Sequence, residues 1–214
     1  MRPQVALVLI GASIALTACG GGQSTGQPAP VISHQPSAVT DTPASGSPAK
    51  VEDPVKAEDN PPGDIPDNLA FIVYHSASGK YAFKHPEGWA LVKQGTAVTF
   101  TDKLNGFHVE LGTLTTPPTV ETAKTNDVPM LKSSQPAFEL RKVSAFTVGS
   151  AGGVKIVYRR NSAPDPVTGK QYRDEVERYE LVSGGRELII ELYGPVGADN
   201  VDAYRMMLDS LKFA

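Results

Sequence analysis

Leu188-Ile189-Ile190-Glu191-Leu192, taken with Val154-Lys155-Ile156-Val157-Tyr158-Arg159 upstream, decides the fold class of this chain. Leu188, Ile190 and Leu192 alternate with Glu187, Ile189 and Glu191, and Val154, Ile156 and Tyr158 alternate with Lys155, Val157 and Arg159. Successive side chains of an extended strand point to opposite faces, so this period buries one face and wets the other. Tyr81 with Phe83, Val98 with Phe100, and Phe107 with Val109 and Leu111 repeat the pattern. Half-buried strands of this kind belong to a largely antiparallel sheet. Ser76-Ala77-Ser78-Gly79, Gly149 to Gly153 and Ser183-Gly184-Gly185 supply the turns.

Two segments break the alternation. A helix is expected to begin at Val120 after Pro117-Pro118 and to be cut short by Pro129, which lacks the N–H that a helix interior needs. Val201, Tyr204, Leu208 and Leu211 recur at helical spacing, with Asp199 or Asn200 as the cap. Asp202, Arg205, Asp209 and Lys212 form a neighbouring stripe of alternating sign.

The aromatic residues mark the limits of the folded part. All fifteen lie in Phe71–Ala214, a stretch long enough for one core and free of cysteine. Disulfides, thiolate metal sites and cysteine nucleophiles are thereby excluded from it. From Ala70 onward there are seventeen Lys+Arg against sixteen Asp+Glu. Without a basic excess there is no electrostatic footprint for nucleic acid.

Gly20 to Asn68 has a different character, with nine prolines, no aromatic residue and an acidic balance. Such a segment buries too little apolar surface to offset its ordering entropy and is expected to be a disordered tether. As a flexible coil its 49 residues span about 35–42 Å on average. Ahead of it stand Arg2, the apolar run Val5 to Leu16, and Leu16-Thr17-Ala18-Cys19, which holds the only cysteine. The layout resembles the bacterial lipobox. That resemblance implies a signal peptide over residues 1–18, acylation of Cys19 (palmitate-type chains), and a domain held on the outer side of a cell or outer membrane. The apolar run is too short to span a bilayer. The expected organisation is therefore signal 1–18, lipidated Cys19 and tether 19–68, and domain 69–214.

The order of motifs in the domain resembles the PsbP-like family, named for an extrinsic subunit of photosystem II. The carrying residues are Tyr74-His75-Ser76 … Gly79-Lys80-Tyr81-Ala82-Phe83, Pro86-Glu87-Gly88-Trp89, Phe100-Thr101-Asp102 with Phe107–Leu111, and Gly194-Pro195 … Asp199-Asn200 … Asp209-Ser210-Leu211-Lys212-Phe213. The resemblance implies an α+β fold, an antiparallel sheet with helices on both faces, and a non-enzymatic binding or assembly role. Trp89 is expected to be a buried anchor.

Motifs of catalysis are thin. His108 and Glu110 share a strand face and offer two metal ligands, too few for a site. Asp174, Glu175, Glu177 and Glu180 interleave with Arg173 and Arg178, as on an exposed, cross-paired strand. No catalytic residue, metal or cofactor is assigned. The eleven-residue loop Asn161–Gln171 is long for a hairpin, with Arg159, Arg160, Lys170 and Arg173 at its base, and is the expected contact for an envelope protein partner. A small-ligand or metal-binding lipoprotein serving a transport system is the other reading. A large pocket would favour that one, and a flat surface with a basic loop the first. The domain is expected to be monomeric.

Overall fold

In the computed structural model, which describes residues 52–78 and 80–214, the alternating segments pair into two antiparallel sheets. The signal peptide, Cys19 and the tether up to residue 51 lie outside the described residues. The smaller sheet holds β1 (Phe71–His75), β2 (Tyr81–Pro86) and a short terminal strand, β10 (Lys212–Phe213), in the order β1-β2-β10. The larger runs β3 (Ala90–Gln94), β4 (Ala97–Asp102), β5 (Asn105–Leu111), β9 (Arg186–Pro195), β8 (Arg173–Ser183), β7 (Ala151–Asn161), β6 (Glu139–Val148). Register aligns the apolar rows: Val98 faces Val109, Val109 faces Ile190, and Ile190 faces Tyr179.

Each face of the large sheet has its own cover. On one, β1 and β2 contribute Tyr81 and Phe83, and α3 (Val201–Asp209) contributes Met207 and Leu208, against Phe100, Phe107, Leu188 and Leu192. Trp89 is 7% exposed within this core, as expected of an anchor. On the other, a helical stretch packs Ala123 and Leu131 on Val154, Ile156, Tyr158 and Val176. The fold is thus α+β, an antiparallel sheet with helices on both faces.

Four local readings are corrected. The first helix does not stop at Pro129: α1 (Val120–Thr122) passes through a π-turn (Ala123–Asp127) into α2 (Val128–Ser134). The wide turn hands the Val128 N–H to the Ala123 carbonyl, and Pro129 falls in the first turn of α2, where a missing N–H costs little. In α3 Leu208 faces inward as expected and is joined by Met207, fully buried, whereas Val201 is 70% exposed, and the helix ends at Asp209 so that Phe213 can pair with Tyr81.

Nor is the charged strand β8 exposed. It lies between β7 and β9, and Asp174, Arg178 and Glu180 are all buried. Arg178 is answered along its own strand by Glu180 at 2.7 Å and across to β9 by Glu191 at 2.8 Å. Lastly, part of the expected tether is laid on the domain. Ile65 is 4% exposed in the core, and residues from Glu52 onward bond to Asn161 of β7, Asn105 of β5, Gln171 and Asn200. One isoleucine flanked by prolines and acids is enough to hold this strap because the domain supplies partners for its backbone.

Candidate functional site at the loop between β7 and β8

Loop Asn161–Gln171 is ordered by its own polar groups. Ser162 N–H donates to the Tyr172 carbonyl at 2.8 Å, and Asp165 N–H to the Lys170 carbonyl at 2.9 Å. The Asp165 carboxylate accepts from Val167 N–H, Thr168 N–H and the Thr168 hydroxyl, and these bonds hold its pKa below the usual value. An Asx-type turn therefore sets the tip.

The four cations expected at its base do not act as one patch. Arg159 and Arg160 are consecutive on a strand and so point to opposite faces. Arg159 pairs with Glu175 at 3.0 Å. Arg160 lies over the Tyr193 ring, 5.0 Å from its centroid, and donates to Gln135 Oε1 at 2.9 Å. Arg173 is buried and donates to the Ala137 carbonyl, Asn161 Oδ1 and Glu139. Only Lys170 belongs to the loop itself, where its ammonium meets Glu58 of the strap and the Tyr172 ring.

What the loop does build is a cavity of about 320 Å³, lined among others by Lys103, Arg160, Lys170, Asp174 and Tyr193. Asp174 is its least exposed charged group, with a side chain 4% exposed. Burial pushes that carboxyl up to about 6, against the pull of Arg160 and Arg173. Its nearest charged neighbour is Arg160 Nε at 3.9 Å, beyond hydrogen-bond reach. Gly106 is required alongside, since a Cβ there would stand 2.0 Å from Cζ of Tyr193.

Beside the cavity the strap is gripped by three buried or nearly buried asparagine amides, which no sequence motif announced. Asn161 donates to the Asp53 carbonyl at 2.8 Å and accepts from Val55 N–H at 3.0 Å. Asn105 donates to the Gly63 carbonyl at 2.7 Å, and Asn200 accepts from Ile65 N–H at 2.8 Å. Asn200 also donates to Asn105 at 3.0 Å, linking the two. These bonds read the backbone, leaving strap identity to Ile65 and to the pairs Glu58–Lys170 and Glu52–Gln171.

Two other places carry chemistry. A groove of about 410 Å³ runs beside α3 over Phe146 and Tyr179, its polar end closed by the Lys155–Glu177 pair and by Tyr179 donating to Glu177. On an open strand face, His108 Nδ1 lies 2.7 Å from the Thr99 hydroxyl, with Glu110 3.9 Å from Nε2. The order of groups is that of a nucleophile, base and acid, but the carboxylate is out of hydrogen-bond range.

No family model matches the chain, and no curated protein matches it. Solved structures do. A cyanobacterial PsbP from Synechocystis sp. PCC 6803 aligns with 15% identity over 72% of this chain and 100% of its own, with a TM-score of 0.44. The Ran-binding protein Mog1p of Saccharomyces cerevisiae aligns with 10% identity over 68% of this chain and 96% of its own, at 0.43. LpqN of Mycobacterium tuberculosis, described as involved in cell envelope biogenesis, aligns with 13% identity over 69% of this chain and 92% of its own, at 0.42.

Proposed function

We propose that this chain is a lipoprotein of the bacterial envelope, anchored through Cys19, whose domain works by holding a partner protein rather than by catalysis. The observation that carries the reading is the strap. Around the loop Asn161–Gln171, buried asparagines grip an extended acidic segment by its backbone, which is how a surface made for peptide holds its occupant. The strap enters at the Asp53–Asn161 contact, beside the loop. With residues 52–68 taken up by the strap, 32 residues separate the anchor from the domain, and their reach is capped at about 105–115 Å.

The test has two arms. Fatty-acid analogue labelling of the wild type and of Cys19→Ala reads the anchor, and equal label on both would end that part of the proposal. Cross-linking of the protein in its native membrane, with a photoreactive residue placed at Thr168 and a control at Lys132 on α2, reads the surface. Capture of a partner from the loop position but not from the helix is the expected result. Equal capture from both would remove the loop from the interface.

A further inference from the structure

We infer that the cavity under loop Asn161–Gln171 binds a small zwitterion, an α-amino acid or short peptide that gives its ammonium to Asp174 and its carboxylate to Lys103 and Arg160. The inference requires neither the lipid anchor nor a protein partner.

Asp174 is the starting point. Its side chain is 4% exposed and borders the cavity, yet among the described residues no group donates a hydrogen bond to it. Its oxygens open to the cavity rather than being sealed off, since among the described residues no fully enclosed side-chain oxygen or nitrogen lacks a partner. Arg160 does not fill the need: its Nε stands 3.9 Å away and its Nη1 is spent on Gln135. Whatever donates to this carboxylate reaches it from the cavity side.

The walls specify the rest of the ligand. Lys103 sits at the turn between β4 and β5 with φ +51°, and among the described residues its ammonium has no carboxylate partner. Lys170 is held by Glu58, and Asp165 is tied to the loop backbone, so neither is free to answer a ligand. A plain cation would meet Asp174 but face Arg160 and Lys103. A plain anion would meet Lys103 but face Asp174. A molecule carrying both charges satisfies both walls. Ring stacking on Tyr193 is not on offer, since Gly106 and Arg160 already pack against that ring. About 320 Å³ lies at the small end of ligand cavities, which suits an amino acid or a short peptide.

The experiment is calorimetric titration and amide chemical-shift mapping of the purified chain with the free amino acids and simple dipeptides. Each ligand found is repeated as its N-acetyl and its carboxamide derivative, and glucose serves as a neutral polyol. At least one zwitterion is expected to bind and to shift Lys103, Arg160 and Asp174, and either blocking group should weaken it tenfold or more. Asp174→Asn should lose the same factor while melting cooperatively, and Lys103→Met should weaken the zwitterion but spare the carboxamide. No binding at millimolar concentration, equal binding of the blocked forms, equal binding by Asp174→Asn, or binding of glucose at these residues would each overturn the assignment.

Discussion

Asn200 and Ile65 stand 135 positions apart in sequence, and Oδ1 of the first accepts the backbone N–H of the second at 2.8 Å. Asn200 occupies the N-cap position of α3 without capping it; its amide serves the strap and Asn105 instead. The helix start is thereby coupled to a segment that composition alone assigns to the tether. A domain beginning at residue 69 would lose the Ile65 side chain and strip partners from three asparagines.

Ile65→Ala should therefore cost about 2–4 kcal/mol in urea unfolding, in the range for truncating a buried aliphatic residue. A chain beginning at Leu69 should be less stable again than one beginning at Glu52. Equal midpoints for the two lengths would show that the strap is dispensable.

Asp174 makes stability depend on pH in a definite direction. Its folded-state pKa, about 6, lies above the ordinary 3.8, so between these values the native state holds a proton that the unfolded chain releases. Stability from this group is complete below about pH 4 and is lost as pH rises through about 6. Asp174→Asn keeps the shape of the neutral acid. It should match the parent near pH 4 and exceed it by up to about 3 kcal/mol above pH 7. Melting curves across that range check it, and a constant difference would refute it.

Arg178 is the only cation within reach of Glu180 and Glu191 among the described ion pairs. Burial opposes its charge, but Glu191 and Glu180 hold its pKa above the usual value. Arg178→Met should cost about 3–5 kcal/mol, because Glu180 is left buried and Glu191 half-buried without their cation. Adding Glu180→Gln and Glu191→Gln should restore part of that loss. Denaturant titration of the single and triple variants decides it, and no recovery in the triple variant would point to packing instead.

Trp89→Ala should cost about 3–5 kcal/mol, since the ring is 7% exposed among core side chains that include Ile65. Native emission should be blue-shifted and poorly quenched by iodide. Free quenching would place the ring at the surface.

The sheet was legible because burial of one face imposes a period of two. Val154, Ile156 and Tyr158, and Leu188, Ile190 and Leu192, are all at most 1% exposed, as their spacing requires. The loop between β7 and β8 was legible as an unusual feature from its length and prolines, although its four flanking cations diverge. The cavity was not legible. Asp174 reads as one more acid in a charged run until β7 and β9 close on either side of it.

The sequence by itself determined the half-buried strands, the two helical segments and the position of the aromatic core, all of which follow from the spacing of apolar side chains along a local backbone. Only the tertiary structure decided that β8 is central, that Pro129 lies inside a helical stretch opened by a π-turn, and that residues 52–68 belong to the domain. The physical reason is shared. A charge or an amide is stable in the interior only when a partner meets it there, and Arg178, Asn161 and Asn200 each take a partner from a distant segment, 13, 108 and 135 residues away.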